Sequence, residues 1–566
     1  MDCSTPVYSN DYYDFISDAI IRGRLYAEYP EDVCTQPLDA GYEVIYYPRE
    51  MLGDFHITNF SYWSIPKCYT LMDTSALEAS GILTMQNFPT LPLKGNGVLI
   101  GFLDTGIDYT NPIFQGEDGN TRIVRIWDQE ERSNTSPEGF LYGSEYTADE
   151  INRALRTENP YQSVPSRDTN GHGTFLAGIA AGSEDAANQF VGAAPLADIA
   201  VVKLKEAKPY LREFFYIREG AVAYQENDIM AGISYLHNLA YDLSKPLVLC
   251  VGLGSNNGGH GGFAALPSLL SYVGTRRMRA VNIAAGNEAN ARHHYIGNLG
   301  SPSDKDEVEI NVSEDMEGFV IELWTNIPER VAVSIQSPTG ESTQRLINRE
   351  GRREEYQFLL EGTKVEVDYG LLGTAGGNHL IFMRFSKPTK GIWRVTVYPE
   401  YYVLGRFHMW LPVSEFLSAP VFFLRSNPQT TITVPSGTVP PITVGGYNAM
   451  DNSLYLDSGR GFNINEQVKP DFLAPAVDVY GPGLRQDYVR VTGTSAATAI
   501  TAGACAQLME WGVTRGNSRG LMNSPEIKNM LIQGCEKDPN RFYPNPEEGY
   551  GRMNLYRTFL NMRRST

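Results

Sequence analysis

The feature that most constrains this chain is an alternation of short, continuous apolar runs with segments of helical period. The runs cover 98–103, 199–204, 247–251 and 281–285, and a helical period extends over 229–241. A strand that is apolar at every residue is buried on both faces. Strands of that kind alternating with helices form a parallel sheet covered on either side. The expected fold class is therefore α/β, with a doubly wound, mostly parallel sheet. Between 301 and 427 the alternation stops. There 308–312, 319–324, 331–335, 364–367, 380–385 and 393–398 read as strands joined by turn-rich connectors without convincing helices. That texture predicts an inserted all-β domain, a sandwich or jelly roll. The α/β texture returns at Ile442-Thr443-Val444-Gly445-Gly446 and runs to a helix-rich end.

Residues 1–65 have a different character. They combine an amphipathic segment, Tyr12-Tyr13-Asp14-Phe15-Ile16-Ser17-Asp18-Ala19-Ile20-Ile21, with a strand-like Tyr42-Glu43-Val44-Ile45-Tyr46-Tyr47, and predict a small α+β module. The expected division is 1–65, 66–300, 301–427 and 428–566, with the second and fourth pieces forming one domain around the insertion.

Charge and cysteine usage exclude several classes of function. Forty-seven Lys and Arg against 66 Asp and Glu give a net charge of −19, which repels phosphate backbones, so nucleic acid is not an expected partner. The opening Met1-Asp2-Cys3-Ser4-Thr5-Pro6 lacks the basic start and apolar run of a signal peptide, and none is expected. No stretch approaches the roughly 18 apolar residues of a membrane span. The six cysteines lie far apart, without a CxxC pair or zinc-ligand spacing, and predict free thiols in a reducing compartment. Cys250 and Cys505 sit in apolar runs and read as small buried hydrophobes rather than nucleophiles. His293 and His294 are adjacent, so their side chains diverge on any regular element. No metal site or other cofactor is expected.

Three stretches carry chemistry. In Val98-Leu99-Ile100-Gly101-Phe102-Leu103-Asp104-Thr105-Gly106 a buried strand ends in a carboxylate, at the sheet edge where catalysis collects in parallel sheets. Asp168-Thr169-Asn170-Gly171-His172-Gly173-Thr174 places a histidine at the first turn of a small-residue helix. Val491-Thr492-Gly493-Thr494-Ser495-Ala496-Ala497 places a serine at the N-terminus of another, where backbone N–H groups and the dipole favour developing negative charge. D-T-G also occurs in aspartic proteases, with Asp457-Ser458-Gly459 as a second copy, but that rival needs an all-β chain and helices flank this motif.

The order Asp104, His172, Ser495 resembles the D-T-G, H-G-T and G-T-S signatures of the subtilisin (S8) family. Ile283-Ala284-Ala285-Gly286-Asn287-Glu288 is similar to the segment whose asparagine completes the oxyanion hole, which implies that role for Asn287. Gly252-Leu253-Gly254 resembles the strand whose backbone pairs with substrate. Lys469-Pro470-Asp471-Phe472-Leu473-Ala474-Pro475 resembles the segment preceding the serine, which absorbs Asp457-Ser458-Gly459 into an ordinary strand and removes the aspartic-protease rival. The chain departs from the family pattern at Ala496 and Ala499, where Met and Pro are usual. Together with Glu510-Trp511-Gly512, the inserted β domain and the absent signal peptide, this resembles the Csp subgroup of clostridial spore-germination proteases.

The resemblance implies an autoprocessing serine endopeptidase acting on a protein or peptide substrate, with a subtilisin-like sheet and a jelly-roll insertion. It implies that 1–65 is a prodomain, cut off between His56 and Pro66 and retained non-covalently. It also implies an intracellular, spore-associated location and activation of a cortex-lytic enzyme precursor. Two alternatives keep the same residues: a pseudoprotease-like binding protein with its prodomain in place, and a broad housekeeping protease. Many relatives bind structural calcium, but no D-x-D-x-D-G loop indicates it here.

Overall fold

A computed structural model describes residues 4–18, 33–52, 55, 60–71, 79–262, 264–347, 353–372 and 378–564. Its centre is an eight-stranded sheet in the order Phe472–Pro475, Ile442–Tyr447, Arg279–Ala284, Leu247–Val251, Leu99–Asp104, Asp198–Lys203, Ile123–Asp128, Ser144–Thr147. All neighbours are parallel except the last pair. The four apolar runs that define the sequence are four of these strands.

Successive side chains of a strand point to opposite faces, and the packing follows that rule. Ile100, Phe102, Val248 and Cys250 join the core beneath His172–Ala181 and Thr494–Met509. Leu99, Leu103, Leu247, Leu249 and Val251 join the core beneath Glu226–Asp242 and Ala265–Thr275. Helices therefore cover both faces, as continuous apolar runs require.

The inserted region is a pair of antiparallel sheets, one six-stranded and one four-stranded. The six-stranded sheet begins with His294–Asn298, ahead of residue 301. Val308, Ile310, Val333 and Trp393 from one sheet meet Phe319, Ile321, Met383 and Phe385 from the other in a shared core. The opposite face of the larger sheet is also buried: Val320, Trp324, Phe382 and Trp410 pack with Tyr13, Phe15 and Tyr62 of the leading segment and with Tyr210 and Phe214 of helix Pro209–Phe214. Leader, central domain and insertion thus close around one aromatic cluster.

The leading segment forms a three-stranded antiparallel sheet in the order Tyr12–Asp18, Tyr42–Pro48, Cys34–Pro37, preceded by helix Ser4–Tyr8. The amphipathic stretch at 12–18 is thus extended: tyrosine, phenylalanine and isoleucine favour a pleated, half-buried surface. Its continuation, 19–21, lies outside the described residues. Asp14 is fully buried and receives Lys208 Nζ at 2.6 Å and Gln225 Nε2 at 2.7 Å. A buried ion pair of this kind strongly resists loss of one partner, so it seats the leader firmly.

Cys250 and Cys505 are buried free thiols, and burial pushes both thiols up from their ordinary range, Cys505 to about 12. Neither is suited to act as a thiolate nucleophile. Cys68 and Cys535 are also free, but Cys34 is disulfide-bonded, which corrects the expectation of free thiols at that position. No helix among the described residues is long and apolar enough to cross a membrane.

Candidate active site

Asp104 is the last residue of strand Leu99–Asp104 and is 1% exposed. Its Oδ1 accepts from the Thr105 N–H at 2.8 Å. His172 opens helix His172–Ala181, and its Nδ1 lies 2.8 Å from Asp104 Oδ1 and 2.9 Å from Oδ2. A carboxylate only accepts, so Nδ1 carries the ring proton and Nε2 is left as an acceptor. Nε2 faces the Ser495 Oγ at 3.1 Å. Ser495 is fully buried in the first turn of Thr494–Met509. Residues far apart in sequence thus form one continuous line from carboxylate to imidazole to hydroxyl.

Local chemistry holds this line. Asp168 accepts from the Asn170 and Gly171 N–H groups through Oδ1, and from Thr174 N and Oγ1 through Oδ2. It therefore caps the turn that delivers His172. Thr105 Oγ1 accepts from the Gly173 N–H at 2.9 Å, tying the aspartate's strand to the histidine's helix. Gly173 is required there, since a Cβ would lie 2.2 Å from the Gly106 carbonyl oxygen. Asp168 opens the histidine motif without an evident role in the sequence alone. An Asp four residues before a histidine at a helix start is a capping signal that could have identified it.

Asn287 Oδ1 accepts from Thr494 N at 3.0 Å and Thr494 Oγ1 at 3.2 Å. Those two contacts fix which end of the amide is oxygen, and they place the side chain directly beside the serine's helix start. Gly252 lies against the same centre: a Cβ there would come 3.1 Å from Ser495 Cβ and 2.9 Å from Leu176 Cδ1. Leu253–Gly254 continues from it as an edge strand.

That edge is occupied. Cys68–Leu71 runs antiparallel along it, with Thr70 opposite Gly254 and Leu71 opposite Leu253. On its other side the same segment pairs with Tyr224–Gln225, Cys68 opposite Gln225 and Tyr69 opposite Tyr224. The chain therefore lies between two strands and advances, residue by residue, toward Gly252 and the serine. Tyr224–Gln225 leaves no mark in the sequence, because two residues are too short for periodicity to register.

His293 and His294 do diverge. His293 Nδ1 meets Glu288 Oε2 at 2.7 Å, and His294 Nε2 meets His408 Nδ1 at 3.0 Å. Among the described residues, no three His, Cys, Asp or Glu side chains gather in a way that could hold a metal ion.

The Subtilase family model matches residues 95–314 and 422–551. The chain belongs to the subtilase family, the subtilisin-like serine proteases. The solved structure of the Clostridium perfringens CspB protease is similar to it with a TM-score of 0.76 and 31% identity, covering 86% of this chain and 98% of that one. Mouse membrane-bound transcription factor site-1 protease is 31% identical over 137 residues, 23% of this chain and 12% of that protein. Subtilisin-like protease SBT6.1 of Arabidopsis thaliana is 28% identical over 137 residues, 23% of this chain and 13% of that protein. The match therefore spans only about an eighth of the length of these curated relatives.

Proposed function

We propose that this chain is a serine endopeptidase in which Ser495 is the nucleophile, His172 the general base and Asp104 its orienting carboxylate. The observation that carries the reading is the unbroken contact line Asp104–His172–Ser495, at 2.8 and 3.1 Å. Ser495 Oγ attacks the scissile carbonyl carbon while its proton passes to His172 Nε2. As the C–N bond breaks, the imidazolium returns that proton to the leaving amine. Water, deprotonated by the same nitrogen, then releases the acyl group and restores the serine. Asp104 stabilises the imidazolium throughout without taking the proton. The Asn287 amide and the Ser495 backbone N–H hold the oxyanion, and Gly252, Leu253 and Gly254 pair with the substrate backbone.

The leading segment acts as a prodomain in this reading. Because Cys68–Leu71 lies in the groove and heads toward Ser495, we place the self-cleavage on the C-terminal side of Leu71 rather than within 56–66. Residues 56–59 and 72–78 lie outside the described residues. Retention of the leader after the cut is supported by the Asp14–Lys208 pair and the shared aromatic cluster. The two-sheet insertion is assigned a jelly-roll connectivity and a bracing role. The narrower role, activating a spore cortex-lytic enzyme precursor, is what the resemblance to the Csp subgroup implies.

The test compares wild type with Asn287→Ala on that precursor and on casein. Wild type is expected to make a discrete cut in the precursor and leave casein largely intact. Extensive casein digestion would instead indicate a housekeeping protease. Loss of one oxyanion donor is expected to lower kcat by about 10² to 10³ without unfolding the protein. An unchanged kcat would remove Asn287 from the mechanism.

A further inference from the structure

The groove grips the leader beyond the paired strand. One residue ahead of Cys68–Leu71, the Lys67 backbone hydrogen-bonds to both the backbone and the side chain of Glu226. The Glu226 N–H donates to Lys67 O at 2.8 Å, and the Lys67 N–H donates to Glu226 Oε2 at 3.1 Å. The Lys67 side chain is 2% exposed. Its ammonium donates to the carbonyls of Tyr62 at 2.8 Å and Ile65 at 2.6 Å, and lies 3.7 Å from Glu226 Oε2.

A second carboxylate lies nearby on the insertion, linked to Lys67 through Tyr62, from whose hydroxyl it accepts, and through Gly258, where a Cβ would lie 3.9 Å from Lys67 Cγ. Glu322, on strand Gly318–Asn326, is fully buried. It accepts from Asn257 Nδ2 at 2.9 Å, Gly258 N at 3.0 Å and Trp324 Nε1 at 3.1 Å, and also from the Tyr62 hydroxyl. Asn257 and Gly258 lie on the loop that follows Leu253–Gly254. Burial pulls the Lys67 ammonium below its ordinary range, and the charges of Glu226 and Glu322 both oppose that pull.

The two kinds of partner separate when the end of the retained leader gives up the groove to a substrate. The Tyr62 and Ile65 carbonyls travel with Lys67, whereas Glu226 and Glu322 stay with the groove. A segment that replaces the leader meets two buried negative charges from two structural units. Glu322 keeps its Asn257, Gly258 and Trp324 donors and Glu226 keeps the Leu266 N–H, but a neutral or acidic side chain leaves both charges without a neighbouring cation, which is costly in a buried site, and a lysine restores it.

We propose that Glu226 and Glu322 form a subsite for the ammonium group of a lysine in the polypeptide substrate, four residues ahead of the residue paired with Leu253. The proposal rests on the reading of Cys68–Leu71 as the substrate track. It gives the insertion a part in choosing what is cut.

The test is a double-mutant cycle in the full-length chain, with self-cleavage followed by mass. Lys67→Met is expected to slow the cut by about tenfold or more, and adding Glu322→Gln to it to recover part of the rate, because one uncompensated charge is gone. Glu322→Gln alone should slow the cut or leave it unchanged. A structural tie with no charge recognition would instead make the two defects add. Additive defects, or Lys67→Met cutting at the wild-type rate, would overturn the proposal. A wild-type chain that never cuts would be a separate result: it would remove the self-processing reading beneath the proposal, and is recognised because the failure precedes any substitution.

Discussion

Ser495→Ala is expected to remain a single 62.9 kDa chain, and wild type is expected to separate into a leader and a larger fragment. The substitution removes only an oxygen from a fully buried site in a small-residue helix, so the fold has little to lose. The Ser495 Oγ has His172 Nε2 as its contact at 3.1 Å, and alanine has nothing with which to attack a carbonyl. The residual oxyanion hole binds without forming an acyl intermediate, and the loss in turnover should be on the order of 10⁶. Mass spectrometry under denaturing conditions reads the result directly. A cut at the same bond in the alanine variant would show that another protease, or another residue, makes it.

Asp104→Asn is expected to cost about 10⁴ in kcat while leaving the structure intact. The carboxylate accepts from His172 Nδ1 through both oxygens and from the Thr105 N–H. An amide of the same shape offers one oxygen and one N–H₂. With the oxygen kept on Thr105, the N–H₂ faces Nδ1 and favours the tautomer that carries its proton on Nε2. That nitrogen then cannot accept from Ser495. Steady-state hydrolysis of a fluorogenic peptide checks the effect, with kcat reported apart from KM. A kcat within about tenfold of wild type would mean that Asp104 does not set the tautomer.

Much of this arrangement was legible in the residues themselves, for physical reasons that differ by element. The central sheet could be read because strands such as Leu99–Asp104 and Leu247–Val251 are buried on both faces, and that leaves a continuous apolar signature. Asp104, His172 and Ser495 could be read because each stands beside glycines and small residues that its element ends require. The insertion showed as a loss of helical period, although its edge strand His294–Asn298 falls before the visible change. Tyr12–Asp18 was harder, since seven aromatic-rich residues satisfy an amphipathic pattern of either kind. Cys68–Leu71 left no signal at all: four residues pair through their backbone with segments more than 150 positions away. Glu322 is equally silent, because a lone glutamate within a strand carries no sign of its partners until tertiary packing surrounds it with Tyr62, Asn257 and Gly258.

In the proposed mechanism the contact line from Asp104 through His172 to Ser495 makes one hydroxyl nucleophilic, and a fluorophosphonate probe reports that property without requiring the correct substrate. Processed wild-type protein is treated with the probe, digested, and the modified residue located by mass. The expected result is modification at Ser495, abolished in His172→Ala. Folded, processed protein that carries no label at Ser495, or labels equally well without the imidazole, would contradict the assignment of this site as a serine peptidase centre.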